Sequence, residues 1–205
     1  MANVRRTISL GFTDERVSEG LHICYIYNNE SERQAVMAQY LKSGLLDNEK
    51  VLCLIDDISQ KDMIEELRTL DVREDALTVL ESVKGYCPSG VFDPDRTLNL
   101  IQAFYHQAVE AEGFVGARGT GQMGWSLDHH LASIENLVEY EARVNDLVEA
   151  HPYTACCQYD ARQFSGEVIM DVLSVHPMII IRGQLLNNPY YIPPQTFLAE
   201  YRGRS

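Results

Sequence analysis

The chain predicts an α/β domain built on a mostly parallel sheet with helices on both faces. Two observations carry this. Short apolar runs alternate with helical patterns from one end of the chain to the other, as strands joined by crossover helices require. The first apolar run also passes through a polar turn straight into a helical pattern, the layout of a nucleotide-binding strand and helix. At 205 residues the chain is long enough for one substantial core. It shows no internal repeat, low-complexity stretch or linker, so it is read as a single domain over 1–205.

The elements follow in order. Residues 21–27 form the apolar strand, 28–34 the polar turn and 35–44 the next helix. A nearly continuous apolar run at 51–56 ends in Asp56, with Asp57 behind it. The helix at 60–70 carries Met63, Ile64, Leu67 and Leu70 on one face. A third strand is predicted at 77–80. Residues 86–95, with Pro88, Gly90 and Pro94, read as a loop able to act as a lid or wall. A helix at 96–112 leads to a strand at 114–118 and a glycine-rich turn at 119–125. Then come a long helix at 131–150, a strand at 153–160, a short helix at 166–175 and a buried strand at 178–181. The tail turns at Gly183, passes through 187–194 and ends in a short helix.

The turn at 28–34 has the position of a phosphate-binding loop without its chemistry. Such a loop needs glycines that let backbone N–H groups approach the phosphates, then lysine, then a serine or threonine for magnesium. Here Tyr27 and Glu32 stand at the two glycines, Arg33 at the lysine and Gln34 at the hydroxyl. Glu30 and Glu32 would repel a triphosphate. The segment is a degenerate P-loop or an ordinary strand–turn–helix that never bound phosphate. Neither predicts an ATPase, and the first points to a sensor on an ATPase-type frame.

Seventeen basic against thirty acidic side chains give a net charge of -13. That field opposes nucleic acid and anionic membranes. No run approaches the roughly 20 apolar residues of a membrane span, and the apolar stretch behind Arg5 and Arg6 is too short for a signal peptide. A cytoplasmic protein is expected. Cys24, Cys53, Cys87, Cys156 and Cys157 are odd in number and lie mostly in strand-like runs, as buried free thiols do.

In open parallel sheets, ligands bind beyond the carboxyl ends of the strands. Asp56, Arg118, Gln158, Tyr159, Asp160 and Arg182 are predicted there, although strands also end in polar residues simply on meeting solvent. On the helix from Leu131, spacings of three and four put Glu141 and Asn145 in the apolar stripe. A carboxylate turned toward a core needs a partner, and Arg118 is the expected one, whether for structure or for ligand. Trp125 with Met123 beside it could make a soft apolar wall for a small organic molecule, or could fold back as a plug. The histidines and cysteines show neither Cys-x-x-Cys nor His-x-x-x-His spacing, so no metal is expected. A nucleophilic set of Cys157, His176 and Asp160 has no readable activating geometry. The expectation is a non-catalytic domain without a cofactor.

Several segments together resemble a known family. Gly20 and His22 open the first strand, and a helix end at 41–45 leads to Asp56. Arg118 precedes Gly121-Gln122-Met123-Gly124-Trp125; then come Tyr140-Glu141 with Asn145, Cys157-Gln158-Tyr159-Asp160, His176-Pro177 and Asn188-Pro189-Tyr190-Tyr191. In this order, over about 18–195, they resemble the MEDS family, sensory domains named for methanogens, methylotrophs and the regulator DcmR. The resemblance implies a RecA/KaiC-like fold. It also implies a prokaryotic signal-transduction role, with a small hydrocarbon derivative as ligand and a histidine kinase or transcription regulator as partner. Self-association is left open. Carried over by position, the ligand-facing set is His22, Asp56, Arg118, Trp125, Glu141, Tyr159, Asp160 and His176. The rival reading is a protein-interaction module that regulates a kinase or anti-sigma factor without a small ligand. A nucleotide- or metal-dependent enzyme is a third.

Overall fold

The computed structural model describes residues 5–56 and 61–203. Asp57 lies outside them. A small antiparallel hairpin, β1 (Thr7–Ser9) with β2 (Arg16–Ser18), precedes the main sheet. The chain then runs through β3 (His22–Tyr27), α1 (Glu30–Leu46), β4 (Glu49–Ile55), α2 (Lys61–Arg68), β5 (Leu77–Glu81), α3 (Ser82–Tyr86) and α4 (Pro94–His106). It continues with β6 (Gly116–Gln122), α5 (Ile134–Ala150), β7 (Tyr153–Asp160), α6 (Gly166–Val175), β8 (Met178–Ile181), β9 (Gln184–Asn187) and α7 (Pro194–Arg202). The seven-stranded sheet has the order β5-β4-β6-β7-β3-β8-β9, parallel except where β9 returns against β8.

Helix starts follow capping chemistry. The side chains of Asn29, Asp93, Ser133 and Ser165 accept from backbone N–H groups in the first turns of α1, α4, α5 and α6. The Asn29 cap is why α1 begins at Glu30, several residues before the periodic pattern. This helix turns Arg33, Val36, Met37, Tyr40, Leu41, Gly44 and Leu45 inward at three- and four-residue spacings. On the other side of the sheet α5 packs against α4 and α6 and buries Leu137, Val138, Tyr140, Glu141, Val144 and Asn145. Among the described residues no helix is long and apolar enough to cross a membrane.

One element departs from expectation in a way that moves the site. The glycine-rich segment predicted as a turn is strand: β6 runs on through Gln122, paired to β4 and β7 on both sides. Its glycines answer close approach rather than a bend. A Cβ at Gly119 would overlap the Tyr153 hydroxyl, and one at Gly121 the Tyr86 hydroxyl. Arg118 therefore sits near the start of the strand, not at its carboxyl end.

Candidate functional site

Strand alternation splits the predicted site residues among three places. At the carboxyl edge, Tyr27, Asp56, Gln122, Gln158 and Asp160 line a polar cleft of about 200 Å³, closed by Arg162, Gln163 and Phe164. Asp160 accepts from Arg162 Nε (2.8 Å), Arg162 Nη2 (2.7 Å) and Gln163 Nε2 (2.9 Å). The hydrogen bonds from Arg162 lead the causes that hold it down at about 2. Burial instead raises the Asp56 carboxyl. The cleft lies where the chain reverses direction across β3, the position at which such sheets take ligands. Arg33, at the lysine position of the loop, is fully buried. It bonds to Glu30 and donates to Gln158 Oε1 at 2.9 Å, with its guanidinium over the Tyr27 ring.

Arg118 belongs to neither this cleft nor Glu141, which corrects the predicted pair. It points to the α1 face, where it bonds Glu49 and donates to the carbonyls of Tyr40 (3.0 Å) and Ser9 (3.1 Å). Glu141 reaches the opposite face of the sheet from α5. A strand ending at Arg118 would leave its side chain at the edge near Glu141, whereas one that continues through Gln122 sends it to the α1 face. Met123 is fully buried just past β6, and its N–H donates to Gln158 O. Trp125 is also buried, stacked on Tyr86 at 4.8 Å and tilted against Phe92 at 4.7 Å. It borders an edge depression of about 430 Å³ with Asp56 and Gly124, but its ring folds back into the core. Arg182 is exposed in the β8–β9 turn, away from both.

The remaining predicted residues meet on the α5 face in a fully buried cluster. His22 from β3, Cys157 and Tyr159 from β7, Glu141 and Asn145 from α5, and His176 at the end of α6 surround one point. Glu141 Oε2 lies 3.1 Å from His22 Nε2, 3.4 Å from His176 Nε2 and 3.3 Å from Cys157 Sγ. Its other oxygen accepts from the Tyr159 hydroxyl. Burial alone would raise the Glu141 carboxyl, but the facing imidazoles, His176 ahead of His22, prevail and hold it below the ordinary range. Burial, then the facing His176, pulls His22 down to about 4. Burial, then the Glu141 charge, pushes the Cys157 thiol well up. His22, Glu141, Cys157 and His176 present donor atoms all within 4.8 Å of one another, close enough to hold a metal ion. Sequence spacing missed this set because each member arrives on a different element. The one signal was the inward-facing Glu141 and Asn145.

Beside this cluster lies an apolar cavity of about 370 Å³ that the sequence reading did not foresee. Its floor is β4, β6 and β7, with Gly119 and Gly121 leaving room for the rings of Tyr153 and Tyr86; its walls come from α3, α4 and α5. Tyr140 and Cys157 line it too, so the cavity and the cluster share a side chain. The exposed Leu80 and Leu100 belong to its lining as well.

Comparison with known proteins bears on the family and the fold. Residues 21–177 match the family model of MEDS, the methanogen/methylotroph, DcmR sensory domain. Over 157 residues the chain is 27% identical to the transcriptional repressor DcmR of Methylorubrum extorquens (strain DSM 6343 / CIP 106787 / DM4). That match covers 76% of this chain and 57% of the repressor, so the chain spans little more than half the length of that relative. Among solved structures it is similar to a KaiC-like protein from Pyrococcus horikoshii OT3, with a TM-score of 0.54 and 12% identity over 86% of this chain and 80% of that one. The flagellar accessory protein FlaH from Methanocaldococcus jannaschii gives the same TM-score and identity over 93% of this chain and 90% of its own. Both likenesses concern the RecA-type fold alone.

Proposed function

Since the chain belongs to the MEDS family of sensory domains, we propose that it is a non-catalytic sensor whose ligand is a small, largely apolar organic molecule held in the cavity between the sheet and α3, α4 and α5. The observation that carries the reading is the cavity itself. Its volume of about 370 Å³ is in the range of small-molecule sites, and its lining is mainly apolar with a few polar groups able to orient a guest, among them Thr78 and Lys84. A hydrocarbon derivative with one polar end fits that chemistry. The polar cleft at the carboxyl edge suits such a ligand less well, because charged and amide side chains surround it.

Occupancy would be felt by α4 and α5, which pack on each other and wall the cavity. A regulatory partner of the kinase or transcription-regulator type would read that change, and the exposed apolar Leu80, Val83 and Leu100 offer it a contact surface near the cavity. A pure interaction module would have no need of such a space in its core. The test is native mass spectrometry of protein taken directly from its host, with a thermal-shift panel of short-chain organic compounds. A retained mass, or a raised Tm that disappears in Ile101→Trp, which fills the cavity from α4, is the expected result. No retained mass, and no compound that raises wild-type Tm more than that of the variant, would overturn the reading.

A further inference from the structure

The buried cluster on the α5 face has more lone pairs than its own hydrogen bonds can satisfy. We propose that His22 Nε2, Glu141 Oε2, Cys157 Sγ and His176 Nε2 form the ligand set of one divalent metal ion of the zinc class.

The outer contacts of the two imidazoles aim their lone pairs at the same point. His176 Nδ1 lies 2.6 Å from the Val172 carbonyl, which can only accept, so this nitrogen carries the proton and a neutral ring leaves Nε2 bare. Asn145 Nδ2 faces the carbonyls of Glu141, Ala142 and Val175, which fixes the amide so that its oxygen faces His22 Nδ1 at 3.3 Å. His22 Nδ1 is then the protonated nitrogen and its Nε2 also faces inward bare. Both lone pairs thus confront a carboxylate oxygen in a site without solvent. His176 Nε2 is fully buried, makes no hydrogen bond of sound geometry, and meets only Glu141 Oε2, at 3.4 Å, inside the cluster. A proton on one ring would relieve one of these contacts. A metal ion relieves all of them, and the Nδ1 contacts are the outer-shell hydrogen bonds that ligating histidines make.

Geometry and charge agree. Tetrahedral coordination at about 2.0–2.3 Å places ligand atoms roughly 3.3–3.8 Å apart. Four of the six separations are 3.1 Å from Glu141 Oε2 to His22 Nε2, 3.4 Å to His176 Nε2, 3.3 Å to Cys157 Sγ and 3.6 Å from Cys157 Sγ to His22 Nε2, and all six lie within 4.8 Å. A dication, one carboxylate and one thiolate sum to zero, so the loaded site buries no net charge. Two nitrogens, one sulfur and one oxygen favour zinc or a similar borderline ion over magnesium or calcium, which prefer oxygen alone. Cys157 also lines the apolar cavity, which gives the ion a way in.

The test uses untagged full-length protein, purified under reducing conditions and stripped with chelator, then loaded with Zn²⁺ or Co²⁺. Elemental analysis should find about one ion per chain. The cobalt form should show tetrahedral visible bands and a near-ultraviolet thiolate-to-cobalt band. Cys157→Ser should lose the thiolate band, and His176→Ala should weaken zinc binding by about 100-fold or more. Surface histidines such as His106 and His151, whose rings lie 4.7 Å apart, could bind ions unrelated to this site; only the true site gives a band that depends on Cys157. Folded wild-type protein that takes up no ion, or a cobalt spectrum unchanged by Cys157→Ser, would overturn the proposal. Either outcome leaves the cavity reading standing.

Discussion

Arg118 and Glu49 form a buried ion pair on the α1 face of the sheet, while Glu141 is buried on the opposite face among His22, His176 and Cys157. The three- and four-residue spacing turned Glu141 and Asn145 inward, and both are buried. The partner of Glu141 was misassigned because alternation in β6 sends Arg118 to the other face of the sheet, where Glu49 meets it. Two predictions belong here. Arg118→Ala should destabilise by about 1–3 kcal/mol: Glu49 keeps its bond to Arg6 but loses the buried guanidinium, and the Tyr40 and Ser9 carbonyls each lose a donor. A double-mutant cycle in urea should show coupling with Glu49→Ala and simple additivity with Glu141→Ala. Coupling to Glu141 instead would contradict the geometry. Asp160 supplies a pH prediction. Its folded value of about 2 lies below the ordinary carboxylate value, so its contribution is fully present above about pH 4 and is lost as pH falls toward 2. Arg162 is exposed, so solvent screening keeps that contribution small. In an NMR titration the Asp160 midpoint should move up toward 4 in Arg162→Ala, and an unmoved midpoint would rule Arg162 out as the cause.

At the scale of elements, the strand–turn–helix at the start of the sheet shows how far a motif reading reaches. Between β3 and α1 only Asn28 and Asn29 intervene, and Asn29 is occupied as the helix cap. No stretch of free backbone is left there to surround a phosphate, and Arg33 is committed to Glu30 and Gln158. Mg-ATP at millimolar concentration should therefore give no calorimetric signal. Arg33→Ala should cost about 1–3 kcal/mol of stability, through the buried Gln158 acceptor it leaves unpaired. Heat of binding that vanishes in Arg33→Ala would reverse this. The glycines of β6 illustrate the opposite limit. From sequence they read as a turn, because nothing local distinguishes a glycine that bends the chain from one that admits a neighbour's ring. Only the packed Tyr86 and Tyr153 reveal which it is. Gly121→Ala should displace the Tyr86 ring, cost about 1–3 kcal/mol and alter the cavity. A variant as stable as wild type in urea would show that the ring has room to move.

Across the whole molecule, Trp125 reports on the core. Stacked on Tyr86 and against Phe92, it should give a blue-shifted emission, and Trp125→Ala should destabilise by about 3–5 kcal/mol, as loss of a core aromatic does. A red-shifted emission with little loss of stability would restore the wall reading. Local sequence determined the fold class, the helix stripes, six of the seven central strands and the inward turn of Glu141, because period and capping act over a few residues. It also carried the family signatures. Tertiary structure alone decided that His22, Glu141, Cys157 and His176 share one buried point, that Arg118 stands apart from them, and that an apolar cavity opens under α4. Those facts depend on which strands become neighbours and which face each residue takes. A strand boundary misplaced by a few residues leaves the period intact and still sends a side chain to the wrong neighbourhood.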